Sequence, residues 1–183
     1  MRLLTVVPEL ECFLNRFRNL MSRIRFRHFC RYIIGLAASD RKSIRRIAVS
    51  CQERVDQSNL NRFIHSDAID DNSIQARVMD MVWRNIAKRR PSGRLKVFLI
   101  IDDSLLQKFG THMEGAGYIF STKEHRSILC HDVVTSFMVA GGMGYPVDVR
   151  LYVKEDMCGT MGVPFKTRIE LAGELIKSFR VPP

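Results

Sequence analysis

Apolar residues recur at helical spacing near the start of the chain. Between residues 9 and 34, spacings of four, three and four positions predict one face of a single helix. That apolar face consists of Phe13, Phe17, Leu20 and Ile24. A parallel stripe of arginines predicts a cationic face on the same helix, and it consists of Arg16, Arg23, Arg27 and Arg31.

Further helices follow in the first half of the chain. Ser39 or Asp40 is suited to cap a second helix. Its inward residues are Ile44, Ile47, Ala48, Cys51 and Val55, and its outward residues are Arg41, Lys42, Arg45 and Arg46. A short helical segment is expected around Leu60, Phe63 and Ile64. Asp70 or Asp71 caps a third, long helix, whose core face includes Ile74, Val78, Met81, Val82 and Ile86, with Trp83 near this face.

The pattern changes after residues 88–94, where Pro91 and Gly93 within a basic run indicate a linker. The segment LKVFLII is rich in β-branched and aromatic residues and ends in two carboxylates, which predicts a buried central strand. Two more strands are predicted at 132–140 and 147–153, forming a three-strand meander. Helical spacing predicts a final helix over 167–179, capped by Thr167.

These elements predict two domains of different class. Residues 1–92 form an all-helical module, and residues 94–183 form a mixed module of a three-strand meander plus a helix. The whole chain is therefore expected to be α+β or α/β.

Length and composition narrow the class of protein. With 183 residues, 46% of them hydrophobic and 26% charged, the chain is expected to fold rather than remain disordered. The longest apolar runs are much shorter than the roughly 20 residues of a spanning helix, and no signal-peptide pattern opens the chain. A cytoplasmic location without membrane association is expected. The five cysteines are spaced unlike a disulfide framework or a zinc pair, so they are interpreted as buried thiols.

The net charge of +10 is concentrated in the first half. Residues 1–93 carry 18 basic and 9 acidic residues, while residues 94–183 carry 11 and 10. Arginine dominates the first half and grips phosphate bidentately, so nucleic acid is the favoured partner. A solvated helix face and an anionic membrane surface are the alternatives. The residues predicted to contact DNA are Arg23, Arg27, Arg31, Arg41, Lys42, Arg45 and Arg46.

Paired carboxylates follow the first predicted strand. Asp102 and Asp103 on a strand of this meander match the opening half of a ribonuclease-H-like fold, in which carboxylates hold two divalent cations that act on a phosphodiester. Hard carboxylate oxygens suit Mg²⁺. A turn or helix cap is the alternative use of such a pair.

Several blocks of the second half resemble one family. The runs LIIDDSLLQKFG, MEGAGY, LCHDVVTSF, YPVDVRLYVKED and PFKTRIELAGELI are similar to the N-terminal part of bacterial and archaeal insertion-sequence transposases of the DDE type. The similarity covers residues 95–180, and residues 30–90 more loosely. Such relatives cleave DNA strands and join them to a target, with Mg²⁺, or Mn²⁺ in its place.

The resemblance assigns the first catalytic aspartate of the family to Asp103. The family context is Ile-x-Asp-Thr, and here Ser104 replaces the threonine. Asp102 is then a neighbour that tunes the site or binds water in the outer coordination sphere of the metal. The family places its second aspartate after the helix at 167–179 and its glutamate further on, and neither position exists in this sequence.

The resemblance therefore implies a truncated transposase without turnover of its own. The alternative is a DNA-binding regulator, which competes with a full-length transposase or pairs with another transposase chain. Two other features are expected to be unconnected with catalysis. His131 and Asp132 point to opposite faces of a strand. The scattered basic residues of the second half are interpreted as solvated, with DNA contact near the site as the alternative, and they are Lys108, Lys123, Arg126 and Arg150.

Overall fold

The computed structural model describes residues 8–40, 42–50, 56–66, 70–89, 95–110 and 113–181. The helices are α1 (Pro8–Asn15), α2 (Arg23–Ala38), α3 (Ile44–Ser50), α4 (Gln57–Ile64), α5 (Asp71–Lys88), α6 (Glu155–Met161) and α7 (Arg168–Ser178). The strands are β1 (Val97–Gln107), β2 (Gly117–Ser121), β3 (Arg126–Ala140) and β4 (Met143–Tyr152). This combination of helices and an antiparallel sheet confirms the mixed α+β class.

Two compact units make up the chain. The first is Met1–Val78 and the second is Met79–Pro183, so the division falls within α5. Most of the predicted linker at 88–94 lies outside the described residues, and the predicted boundary between 1–92 and 94–183 stays a prediction.

The single helix predicted over 9–34 is wrong. The chain forms α1, a short 3-10 helix at Arg18–Leu20, and then α2. Ser22 begins α2, because its side chain accepts a hydrogen bond from the backbone N–H of Arg25 at 3.5 Å. The break buries Phe17 almost completely but leaves Ile24 72% exposed, so the predicted apolar stripe does not face one core.

The first unit has a small core where three helices meet. Ile47 and Ala48 of α3 and Leu60 of α4 are buried, and Tyr32 and Leu36 of α2 pack against them. The inward positions predicted for Ile47 and Ala48 are confirmed, while Cys51 and Val55 lie outside the described residues.

The predicted cap of the second helix is wrong. Ser39 lies at the end of α2, where its backbone N–H donates to the carbonyl of Gly35. Ser43 takes the capping position before α3 instead, since its Oγ accepts from the N–H of Arg46 at 3.4 Å. Asp70 does cap α5, as predicted, by accepting from the backbone N–H groups of Asn72 and Ser73.

In the second unit, β3 is the centre of the described sheet. It pairs antiparallel with β1 along one edge, and with β2 and then β4 along the other. The sequence predicts β1 as a central strand, but the structure places it beside β3 alone among the described strands. β1 is an edge strand of the described sheet, because no described strand pairs with its second edge.

The sheet also contains more than the predicted meander. β1 continues through its two aspartates to Gln107, β3 begins at Arg126, and β2 is a fourth strand. Gly141 and Gly142 both have positive φ, 58° and 76°, as a two-residue hairpin turn between β3 and β4 requires. Helix α6 lies between the predicted strand at 147–153 and the predicted helix at 167–179, where the sequence predicts no element.

Helices cover one face of the sheet. Leu171 and Leu175 of α7 pack on Val134, while Ile86 at the end of α5 packs on Met138. Trp83 joins this second cluster, as its predicted core position requires. The opposite face carries large exposed apolar side chains, namely Phe98, Ile100, Leu106, Tyr118, Phe120, Phe137, Val149 and Leu151. Within the described ranges, no helix combines the length and apolar character needed to cross a bilayer.

Candidate active site

Asp103 lies in the interior of β1, on the sheet face that α7 covers. It pairs with Val134, which is buried beneath α7. Paired residues of antiparallel strands lie on the same face, so the carboxylate of Asp103 points to this side. Its side chain is 56% exposed and is therefore open to a ligand.

Asp102 points to the opposite face. Its strand partner is Thr135, whose hydroxyl donates to the carbonyl oxygen of Asp102 at 3.2 Å. The Asp102 carboxylate accepts a hydrogen bond from the backbone N–H of Asp103 at 3.0 Å. The structure therefore does not bring the two predicted carboxylates together on one face.

An ion pair with a buried carboxylate lies beside Asp103. Asp132 faces the same side of the sheet, and its side chain has no solvent exposure. Arg168 Nε donates to Asp132 Oδ2 at 2.7 Å, and Arg168 Nη2 contacts the same oxygen. Asp132 Oδ1 is buried without a hydrogen-bond partner among the described residues. The two side chains are 36 positions apart in sequence and meet only through the packing of α7 on β3.

The start of α7 places Arg168 at this point. Thr167 and Glu170 form a capping box, in which each side chain accepts from the other residue's backbone N–H. Arg168 is therefore the first residue of the helix, with its guanidinium 4.4 Å from the ring centroid of Tyr152. That distance is typical of a cation–π contact.

Arg168 also reaches Asp103. Its Nε lies 3.9 Å from Asp103 Oδ2, so one guanidinium interacts with two carboxylates. Burial disfavours the charge of Arg168, but the hydrogen bond and charge of Asp132, with smaller effects of Tyr152 and Asp103, outweigh it and raise the pKa of Arg168. The guanidinium is a permanent cation at this site.

An open groove of about 540 Å³ extends from these residues. Its polar lining includes Asp103, Gln107, Lys123, Glu124 and Arg168. The turn between β2 and β3 supplies Lys123 and Glu124, and Glu124 Oε2 lies 3.8 Å from Arg126 Nη2. The groove thus contains both cations and carboxylates.

The described residues do not by themselves fit a divalent metal centre. Nowhere in the described part of the chain do three histidine, cysteine, aspartate or glutamate side chains gather closely enough to hold a metal ion. The charged group that pairs with Asp103 is the guanidinium of Arg168, which is a cation and not a metal ligand. A Mg²⁺ or Mn²⁺ site would require ligands in addition to these residues.

The predicted DNA-contacting residues belong to the first unit. Arg23 and Arg27 are exposed on α2, Arg45 and Arg46 are exposed on α3, and Arg31 is half-buried. Arg41 lies outside the described residues.

Lys42 has a structural contact within this group. Its Nζ donates to the carbonyl oxygens of Leu36 and Ser39, each at 2.6 Å. A cation at this position satisfies backbone carbonyls at the end of α2 and interacts favourably with the helix dipole.

Sequence reasoning missed Asp132 and Arg168. Strand alternation correctly separates His131 from Asp132, and His131 Nε2 instead contacts the carbonyl of Glu114 at 2.9 Å. The alternating pattern of DVVTSFMVA also places Asp132 on the same face as Val134, which is a signal that a buried charge needs a partner. No local pattern identifies Arg168 as that partner.

The comparisons with known proteins address the family of the chain. A family model described as "DDE superfamily endonuclease" matches residues 12–168. No curated protein and no solved structure matches the chain. The family match covers most of both units and confirms the resemblance to DDE-type transposases. The chain belongs to the DDE superfamily endonuclease family.

Proposed function

We propose that this chain contributes the first-aspartate part of a DDE transposase, with Asp103 as its catalytic carboxylate and metal ligand. The observation that carries the proposal is the position of Asp103, half exposed on the helix-covered face of β1 and open to a groove. Membership of the DDE endonuclease family supports DNA as the substrate. The antiparallel β1, β3 and β4 with α7 across them agree with the opening half of a ribonuclease-H-like fold.

The same site supports the proposal that the chain alone has no turnover. DDE endonucleases generally use divalent metals, and a two-metal site needs several carboxylates around the reacting phosphate. In the described groove Asp132 is buried against Arg168, so Asp103 is left as the carboxylate available from β1 and β3. Asp102 is not included because its carboxylate lies on the other face. The described residues therefore do not complete a two-metal site, and in this proposal strand cleavage needs carboxylates from outside them. We place this activity in the cytoplasm as part of the same proposal.

A nicking assay tests the absence of turnover. Supercoiled plasmid DNA is incubated with the chain in Mg²⁺ or Mn²⁺, beside an Asp103→Asn variant. We expect no nicking above that of the variant. Robust nicking that depends on Asp103 would contradict the proposed inactivity, while leaving Asp103 as the catalytic residue.

The second candidate function is a DNA-binding regulator of a full-length transposase. It is favoured by the exposed arginines of α2 and α3, together with the excess of basic residues in the first half. Such a chain would occupy transposon DNA or pair with a complete transposase chain without cutting. Phosphate contacts of this kind release counterions, so binding should weaken as salt rises.

A salt series tests this candidate. We expect glutamine at Arg23, Arg27, Arg45 and Arg46 together to reduce the salt dependence of DNA binding by up to about 0.9 in log–log slope per lost phosphate contact. A matched variant removes four charges from the second unit, at Lys96, Lys154, Lys177 and Arg180, and should change the slope less. Salt-insensitive binding by the unmodified chain would exclude the candidate.

A further inference from the structure

Arg168 is held in one orientation by two contacts and by its place at the start of α7. Asp132 binds its Nε and Nη2, Tyr152 stacks against the guanidinium, and the capping box sets the start of α7. The Asp132 side chain is fully buried, and an uncompensated buried carboxylate is strongly unfavourable. Arg168 therefore stays with Asp132 in the folded chain.

Arg168 nevertheless remains open to the groove. Its side chain is 41% exposed, it lines the groove with Lys123, and the contacts with Asp132 do not use Nη1. This exposure leaves part of the guanidinium within reach of a ligand in the groove. An arginine with a fixed orientation and an open edge is suited to bind a phosphate oxygen.

We propose that Arg168 is a phosphate-binding residue of the Asp103 groove, and that Asp132 is the positioning residue that orients it. The ligand is the phosphodiester backbone of nucleic acid. This inference deepens the proposed function and rests on it. Tyr152 contributes by limiting rotation of the guanidinium.

The charges of the groove define what this contact does. Arg168 is paired with Asp132, and Glu124 with Arg126, so the fixed charges nearly cancel. Such a groove attracts DNA weakly compared with the arginine-rich first unit. Phosphate contacts also set the register of a protein on DNA, so the role of Arg168 is to place a phosphate beside Asp103.

A charge-balanced variant tests the phosphate contact. Asp132→Asn with Arg168→Gln removes one charge of each sign, so the net charge is unchanged and no buried charge is left unpaired. We measure binding of the full chain to a fluorescein-labelled random-sequence duplex by anisotropy over a range of salt. The log–log slope should fall by about 0.9, the value for one phosphate contact.

The matched control is Asp148→Asn with Arg150→Gln. This ion pair lies on the same face of the sheet, with 2.7 Å between Arg150 Nη1 and Asp148 Oδ1. The control should leave the slope unchanged. Equal slopes for the wild type and the Asp132/Arg168 variant would overturn the inference and leave Arg168 as a structural counter-ion.

Two single variants test the positioning role. Asp132→Asn makes the chain more positive, so a simple charge effect would raise DNA affinity, whereas loss of positioning should lower it. The effect of Asp132→Asn should disappear when Arg168 is already glutamine. Arg168→Lys retains a cation for Asp132, but it lacks the planar fork and should also bind DNA more weakly.

Higher affinity of Asp132→Asn, or wild-type affinity of Arg168→Lys, would contradict positioning. Circular dichroism confirms that each variant is folded before its affinity is compared. If the wild-type chain binds no DNA at any salt concentration, the proposed function itself fails. If the wild type binds DNA and the Arg168 variants bind it with the same affinity, this inference fails while the proposed function stands.

Discussion

Asp102 and Asp103 are adjacent in sequence, but their carboxylates lie on opposite faces of β1. Asp103 lines the groove beneath the start of α7, and Asp102 accepts the backbone N–H of Asp103 from the other side. Two substitutions that remove the same charge, one position apart, should therefore have different effects on a ligand in the groove.

We expect Asp103→Asn to raise DNA affinity in the presence of a chelator. The carboxylate repels phosphate in the groove, and like charges about 4 Å apart in water cost about 1 kcal/mol, which corresponds to roughly fivefold in affinity. Asp102→Asn is the matched control and should have a smaller effect. Anisotropy with labelled duplex in EDTA measures both. Equal gains for the two variants would show that only net charge matters.

Lys42 should contribute more to stability than to DNA binding. Its ammonium donates to two carbonyl oxygens at the end of α2, so Lys42→Ala should lower the free energy of unfolding by about 1 kcal/mol. Arg45→Ala removes an exposed cation from α3 and should change stability little. Urea unfolding followed by circular dichroism compares them. An unchanged urea midpoint for Lys42→Ala would show that Lys42 does not stabilise the end of α2.

His28 should make the first unit sensitive to mild acid. Burial lowers the pKa of His28 from its usual 6.5, with help from the charges of Arg31 and Arg27, and its Nδ1 is buried without a hydrogen-bond partner among the described residues. The unfolded chain binds this proton more readily than the folded chain. The stability contributed by neutral His28 is therefore complete above 6.5 and is lost as the pH falls through that value towards the folded pKa.

Unfolding measurements across this pH range test the expectation. His28→Gln should remove the part of the pH dependence just below 6.5, whereas the exposed His65→Gln should leave it in place. The capping carboxylates do not contribute to the pH dependence of stability just below 6.5. The pKa of Asp70 is lowered from 3.8 by its hydrogen bonds with Ser73, and that of Glu170 from 4.5 by those with Thr167, so both lose their contribution at lower pH. An identical pH profile for His28→Gln would refute the assignment.

Gly144 should not tolerate a side chain. A Cβ atom at this position would lie 2.7 Å from Cζ of Phe137, which is closer than such atoms approach. Gly144→Ala should therefore destabilise the hairpin of β3 and β4 by about 1–3 kcal/mol, the usual cost of overpacking. The cost should fall sharply when Phe137 is leucine, so a double-mutant cycle measured by thermal unfolding isolates the contact. Additive effects would argue against a clash with this ring.

The sequence predicts local structure well where a single short pattern decides it. Asp70 begins α5 and Thr167 begins α7, because a capping side chain and the backbone groups that it satisfies lie within four residues of each other. The single helix predicted over 9–34 is wrong because a local cap interrupts it. Ser22 can cap α2, and that local option competes with the apolar spacing that continues past it.

The candidate site is only half predictable. Asp103 is predicted from its sequence context, since the family motif and the strand are contiguous, and the structure places it in the lining of the groove. The ion pair of Asp132 with Arg168 depends on how α7 lies across β3, and β2 is hidden in a polar segment rich in glycine. These features are set by long-range packing, so neither periodicity nor spacing indicates them.

The apolar face of the sheet has a practical consequence for all the unfolding experiments above. The exposed phenylalanine, tyrosine and leucine side chains of this face should bind an environment-sensitive dye in the native state, before any heating. Thermal unfolding followed with such a dye would then start at high fluorescence, which would mask the unfolding transition. Trp83, the single tryptophan of the chain, packs in the cluster around Met138 and offers a cleaner intrinsic fluorophore for the second unit.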